Sequence, residues 1–195
     1  MAYALSLVVT AFVTLIPAVA QDTEYIRALE RAQASRPAQI TPSERIASEN
    51  EPGTPLTIKG KLYAEDGKTV VKDAIVFAYQ TDRTGLYDAA GSPAHSWRIR
   101  GWARTGADGA FEFRTIRPGR YPSRTIPAHV HFTIFTGSTR YHAGELRFED
   151  DDLVPARERE ASRQEGIFGS VRPVTKSGNG EAVELAIRLK ASERF

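Results

Sequence analysis

Two histidines stand at i and i+2 in the run Pro127-Ala128-His129-Val130-His131-Phe132. Alternate side chains of a strand share a face. Both imidazoles would therefore project the same way, their Cα atoms about 6.5–7 Å apart from the rise per residue. Rings at that separation can reach one ion. Shortly before them, in Gly119-Arg120-Tyr121-Pro122, Tyr121 can bring a hard phenolate oxygen to the same centre. Nitrogen combined with anionic oxygen selects a hard, highly charged ion over thiolate zinc chemistry. The chain has no cysteine, so thiolate sites are excluded and an exported form must fold without disulfides. Alone, His129 and His131 read equally well as half-buried strand histidines satisfied by hydrogen bonds. Tyr121 alone reads as an aromatic flanking a Pro-Gly turn.

The elements that must position these residues are strands. Residues 56–63 alternate apolar and polar and run into the turn Glu65-Asp66-Gly67-Lys68; residues 74–79 follow as a second strand. Asp108-Gly109 separates strands at 102–105 and 110–114. Residues 130–135 and 145–148 add two more, and residues 183–189 alternate strictly. Short strands punctuated by Gly, Pro and Asp predict an all-β protein, an antiparallel β-sandwich. Residues 81–99 form a long connection, and long connections in compact domains tend to carry function.

The N-terminal part reads differently. Residues 2–20 carry no Lys, Arg, Asp or Glu and end in Ala18-Val19-Ala20, a signal-peptidase pattern. Residues 1–20 are therefore expected to be a cleaved signal peptide of a secreted or periplasmic protein, with a membrane anchor as the competing reading. Residues 22–34 predict a short helix with Asp22 or Thr23 as N-cap, ended by Arg36-Pro37. Residues 21–50 are then a helix and a polar arm, and residues 51–195 one domain. The net charge of +2, with both signs interspersed, gives no electrostatic case for nucleic acid or an anionic membrane surface.

Leu86-Tyr87-Asp88, the run from Phe111 through Arg114-Thr115-Ile116-Arg117-Pro118 to Tyr121-Pro122, and the His129–His131 segment together resemble the intradiol ring-cleavage dioxygenases, the protocatechuate and catechol dioxygenase group. The likeness spans roughly residues 51–155, including Gln80-Thr81-Asp82 and Leu146-x-Phe148-x-Asp150. It implies a β-sandwich of the aromatic-dioxygenase type. It further implies one non-haem Fe(III) held by Tyr87, Tyr121, His129 and His131, with Tyr121 and His131 axial and Tyr87, His129 and a solvent hydroxide equatorial. Two phenolates and one hydroxide neutralise a trivalent ion, so such a site buries no net charge. The implied reaction is cleavage of a catechol by O2 to a cis,cis-muconate, with Tyr121 as the base for one substrate proton.

Two positions depart from the family pattern. Where the family carries Arg before the Pro-Ala-His-x-His segment, this chain has Ile126; Arg124 would lie on the same face only if the segment is extended. Where a Gln is common in the following strand, this chain has Glu145, expected to add negative charge beside an anionic substrate. Arg124 and Glu145 therefore join Tyr121 as candidate catalytic residues. Two alternatives accompany the dioxygenase reading. One is a non-catalytic transthyretin-like module, which shares the signature of Asp108-Gly109-Ala110-Phe111 with Pro118-Gly119-Arg120-Tyr121 but needs no His pair. The other is an iron-binding family member with lost or altered turnover. His95 and His142 match no ligand position, Trp97 and Trp102 read as core or wall aromatics, and residues 149–152 read as a solvated acidic turn. Arg98, Arg100 and Arg104 could attract a carboxylated catechol or be plain strand-edge charges. Self-association into a homo-oligomer is left open.

Overall fold

The computed structural model describes residues 18–92 and 95–195, so nearly all of the expected signal peptide lies outside the described residues. The chain divides into two units, Met1–Ala34 and Ser35–Phe195. In the first, helix α1 (Ala18–Ala34) begins earlier than the capping signal suggested, placing positions 22 and 23 inside it. It stops just before Arg36-Pro37, as expected, because a proline disfavours helical backbone in the residue before it. Among the described residues, no helix is long and apolar enough to cross a membrane.

The second unit is a β-sandwich. One sheet has the order β1 (Ser43–Arg45), β5 (Ala110–Ile116), β2 (Pro55–Tyr63), β10 (Gly180–Arg188), β9 (Thr175–Ser177). The other has the order β4 (Ile99–Arg104), β3 (Ile75–Gln80), β6 (His129–Thr136), β7 (Thr139–Phe148), β8 (Val171–Arg172). The pairing is largely antiparallel, but β1–β5, β2–β10 and β7–β8 are parallel. Each of those partners is joined by a long intervening stretch, which frees the chain from hairpin geometry. The arm expected before residue 51 supplies β1 and so belongs to the sandwich. Helix α2 (Ala156–Gln164) has no apolar stripe in its sequence, AREREASRQ, and so carried no periodic signal.

The alternation of each strand sorts core from surface. Leu56, Ile58 and Leu62 of β2 face Val130, Phe132 and Ile134 of β6 across a core that also holds Phe111, Phe113 and Phe148. Because β6 alternates, His129 and His131 are turned to the opposite, outer face of their sheet. β3 is buried along its whole length. Val76 and Ala78 meet the core, whereas Phe77 and Tyr79 lie under the connection 81–98, with Trp97 and Trp102 beside Phe77 at ring-centroid distances of 5.8 and 5.2 Å. Full burial of a side chain such as Phe77 stabilises by about 1.5–3 kcal/mol. This aromatic layer is the floor on which the histidines sit.

Candidate metal centre

Tyr87 and Tyr121 belong to separate connections, which are stapled together at their bases. Gln80 Nε2 donates to the Ile116 carbonyl at 2.8 Å, Thr81 Oγ1 to the Gly119 carbonyl at 2.8 Å, and the Gly119 N–H to the Asp82 carbonyl at 2.8 Å. Asp82 Oδ1 then accepts from Thr84 N at 2.8 Å and Leu86 N at 3.2 Å, curling the chain toward Tyr87. The two backbones touch at a glycine on each side. A Cβ on Gly85, whose φ is +85°, would lie 1.9 Å from the Arg120 carbonyl oxygen, and one on Gly119 would lie 2.5 Å from that of Arg83. Gly85→Ala should therefore force the tyrosine-bearing segments apart. The expected result is a loss of about 1–3 kcal/mol in stability, seen in urea melts, with any metal uptake at this centre lowered in metal analysis.

Beyond the glycines, the connection is pinned from the far side. Asp88 Oδ1 accepts from Ser96 Oγ at 2.6 Å and Trp97 N at 2.7 Å, and the Tyr87 carbonyl accepts from Arg98 N at 2.8 Å. Trp97 is buried with φ +45°. Its indole stacks on Tyr79 at 4.2 Å and 19°, and Tyr79 stacks on His131 at 4.5 Å and 11°.

Four donor atoms converge on this floor. Tyr87 Oη lies 2.6 Å from Tyr121 Oη, 2.7 Å from His131 Nε2 and 3.5 Å from His129 Nε2. His129 Nε2 lies 3.0 Å from Tyr121 Oη and 3.0 Å from His131 Nε2. Donors about 2.0–2.1 Å from one first-row metal ion, set at right angles around it, would be about 2.9 Å apart, inside that range. The tautomer agrees. His129 Nδ1 is 2.7 Å from the Pro127 carbonyl, which only accepts, so Nδ1 carries the proton and Nε2 presents its lone pair to the centre. The donor set therefore fits one ion.

Electrostatics select the kind of ion. Burial, reinforced by the hydrogen bond with Tyr121, raises the Tyr87 pKa far above the usual phenol value. Burial likewise raises that of Tyr121. His131 is pushed down to about 3 by burial and by His129 beside it. Without a cation, Tyr87 and Tyr121 are neutral phenols and His131 a neutral imidazole. Ionising both phenols in this setting requires a strongly charged ion, which displaces their protons on binding.

The remaining sequence-predicted residues fall elsewhere. The segment after Tyr121 is not extended: it turns, with Arg124 N donating to the Tyr121 carbonyl at 2.7 Å and Arg124 at φ +51° with its side chain exposed. Arg124 thus does not share the face of Ile126 in the way an extended strand would require. Glu145 stands directly across from His131 in the β6–β7 register, with Oε1 3.5 Å from His131 Nδ1 and Oε2 held by Arg147 at 2.9 Å. Gly85, Leu86, Asp88 and Pro122 line a cleft of about 420 Å³ at the two tyrosines. Glu145 and Arg147 instead line a separate cavity of about 410 Å³. The cross-strand position and the pull of Arg147 keep the Glu145 charge behind His131, away from a ring in the cleft. Donor atoms of His129, His131 and Glu145 do lie within 4.8 Å of one another, but the tyrosine oxygens approach the two Nε2 atoms more closely.

His95 and His142 stand outside the cluster, His142 exposed on β7. Arg98 pairs with Glu51 at 2.6 Å, Arg100 donates to the Trp97 carbonyl at 3.0 Å and to that of Ser96, and Arg104 reaches the Asp73 carbonyl at 3.4 Å. All three guanidinium groups are committed to the protein itself. The acidic run is not wholly solvated, because Asp151 is buried. Its Oδ2 accepts from Ala128 N at 2.8 Å, and its Oδ1 from Arg120 at 2.6 Å and Leu153 N at 3.0 Å. Burial alone would raise its pKa, but Arg120 and the two N–H groups outweigh it and hold the carboxyl below its usual range. Asp151 thereby ties the neighbour of Tyr121 to the neighbour of His129. Sequence reasoning missed it, since nothing in a run of four acids marks which one turns inward.

Comparison with known proteins points one way. Residues 31–191 match the family model described as Dioxygenase. Catechol 1,2-dioxygenase 1 of Acinetobacter lwoffii is 32% identical over 157 residues, 70% of this chain and 48% of that protein. The protocatechuate 3,4-dioxygenase beta chain of Burkholderia cepacia is 30% identical over 95 residues, 43% of this chain and 39% of that protein. The chain spans about half the length, or less, of such curated relatives. Among solved structures, the dioxygenase domain of a dioxygenase–carbohydrate-binding protein fusion from Streptomyces sp. SirexAA-E superposes with TM-score 0.58 at 26% identity, covering 79% of this chain and 91% of that one. Catechol 1,2-dioxygenase from Acinetobacter sp. ADP1 shares the fold with TM-score 0.59 at 17% identity, covering 87% of this chain and 69% of that one.

Proposed function

Because this chain belongs to the intradiol dioxygenase family, we propose that it is an exported Fe(III) enzyme that cleaves catechol-type diols with O2 to cis,cis-muconate-type products. The convergence of Tyr87, Tyr121, His129 and His131 on one point carries this reading. The family uses non-haem iron, and these four residues would hold it. When bound, the ferric ion supplies the Lewis acidity and electron-accepting character that make a catecholate ring reactive toward O2.

The chain's own side chains do the rest. Leu86 and Pro122 flank the cleft and give a ring an apolar seat beside the two phenol oxygens. Tyr121 Oη, at the cleft wall, would as the phenolate that the ion stabilises take a proton from a catechol hydroxyl. The Pro127 carbonyl keeps His129 in one tautomer, and the stacked Tyr79 and Trp97 rings keep His131 from rotating. Both restraints hold the donors ready, so little reorganisation is needed when substrate arrives. Export rests on residues 1–20 alone.

One observation favours a second reading, an iron protein with altered turnover. Ile126, where the family carries a guanidinium, is exposed, and Arg124, its candidate replacement, is exposed in a turn and not on an extended strand beside it.

Metal analysis with a visible spectrum tests the proposal. The ferric protein should be wine-red, its band should shift when catechol is added without oxygen, and oxygen uptake should follow with catechol, protocatechuate or hydroxyquinol. A protein colourless after ferric reconstitution would refute the iron reading. A red protein that takes up no oxygen with any of the three would instead favour the second reading.

A further inference from the structure

His131 Nδ1 is buried without a hydrogen-bond partner, although a carboxylate stands nearby. That carboxylate is Glu145, across the β6–β7 ladder, with Oε1 3.5 Å from Nδ1, inside ion-pair reach but not aligned as a hydrogen bond. Its other oxygen is occupied: Arg147 donates to Oε2 from Nε at 3.2 Å and from Nη2 at 2.9 Å, and Arg147 is itself gripped by Glu158 of α2. The chain Glu158–Arg147–Glu145 thus aims one carboxylate oxygen at the back of the imidazole whose Nε2 faces the two tyrosines. A histidine that binds a cation through Nε2 keeps a proton on Nδ1, and the acceptor of that proton sets ring orientation and donor strength.

We propose that Glu145 is a positioning residue for the metal centre, its Oε1 accepting a hydrogen bond from the His131 Nδ1–H in a carboxylate–imidazole–metal triad that Arg147 tempers by sharing the same carboxylate. This deepens the iron reading above and rests on it. An anionic acceptor makes the imidazole a stronger donor, raises electron density at the ion and so raises the energy of tyrosinate-to-iron charge transfer. Arg147 draws density the other way. A residue that touched only the substrate would leave the substrate-free centre unchanged.

The test compares wild type, Glu145→Gln and Arg147→Leu, loaded with ferric ion and read without substrate. In Glu145→Gln the visible band should move to longer wavelength, and iron should pass to a chelator about 10–100-fold faster, the usual cost of losing such a partner. In Arg147→Leu the band should move to shorter wavelength. In metal-free protein, ring-nitrogen NMR should place the His131 proton on Nδ1 and show that signal displaced in Glu145→Gln. The NMR comparison needs no iron, so a wild-type protein that never colours refutes the iron reading while the NMR still decides the His131–Glu145 contact. A folded Glu145→Gln whose spectrum, chelator rate and NMR match wild type overturns the proposal. If Glu145→Gln does not fold, Arg147→Leu decides: a band at shorter wavelength supports the triad, and one unmoved or at longer wavelength overturns it.

Discussion

His131→Ala is expected to yield a folded protein that takes up no ferric ion, stays colourless and consumes no oxygen with catechols. The substitution removes one of four donors and leaves Tyr87 Oη without the imidazole that sits 2.7 Å from it. Loss of a partner behind a ligand typically costs about 10–100-fold in metal affinity, and loss of the ligand itself should cost more. The fold should survive, because His131 lies on the outer face of its sheet and the sandwich core is built by Val130, Phe132 and Ile134. What the sheet loses is the stacking partner of Tyr79 at 4.5 Å, a contact worth roughly 0.5–1.5 kcal/mol for aromatic pairs. Metal analysis, the visible spectrum and circular dichroism together read this out. Stoichiometric iron with colour in the folded variant would remove His131 from the ligand set. His142→Ala, at an exposed position on β7, is the control that should keep both.

Asp151→Ala should cost far more stability than any other change in the acidic run. The carboxylate is buried and holds three donors: Arg120, Ala128 N and Leu153 N. Removing the carboxylate leaves the buried Ala128 N–H without an acceptor, at about 1–3 kcal/mol for an unsatisfied buried group, while Arg120, a third exposed, keeps only Asp152. Asp151→Asn keeps one oxygen acceptor, loses the charge and turns an NH2 toward a donor, so it should fall between wild type and Ala. Asp150 pairs with Arg117 at 2.6 Å but is more than half exposed, so Asp150→Ala should cost under about 1 kcal/mol. Urea melts of the three variants measure this order. Metal should be lost in step with stability, since Asp151 joins the residue before Tyr121 to the residue before His129. An Asp151→Ala protein as stable as Asp150→Ala, with full iron, would show that the tyrosine and histidine segments hold their places without it.

Periodicity and residue type were enough for part of this site. Strand alternation alone places His129 and His131 on one face, and a hard donor set with no cysteine restricts the ion. The resemblance around Tyr87 and Tyr121 supplied the rest of the donor set and the family. The β-sandwich was legible too, because β2 and β10 each carry their burial pattern largely in a period of two. The unread elements have reasons. Helix α2 has no apolar stripe, β8 and β9 are too short to show a period, and β1 is tied to the sandwich by backbone pairing with β5 that its own residues do not announce.

The surroundings of the four donors depended on distances between residues far apart in the chain. Arg124 and Ile126 are spaced as an extended strand would space them, but the chain turns there, with φ +51° at Arg124, and leaves that residue exposed. Glu145 aligns with a substrate-facing position by sequence, whereas cross-strand register and the grip of Arg147 set it behind His131. Asp151 is one acid among neighbours until Ala128 and Arg120 close on it. Sequence by itself determined that Tyr121, His129 and His131 could meet at one centre, because that follows from side-chain chemistry and local spacing, and its resemblance to the family added Tyr87. Only the tertiary structure decided what stands behind each of them, because register, turn handedness and close backbone approach, as at Gly85 and Gly119, are set by packing between distant segments.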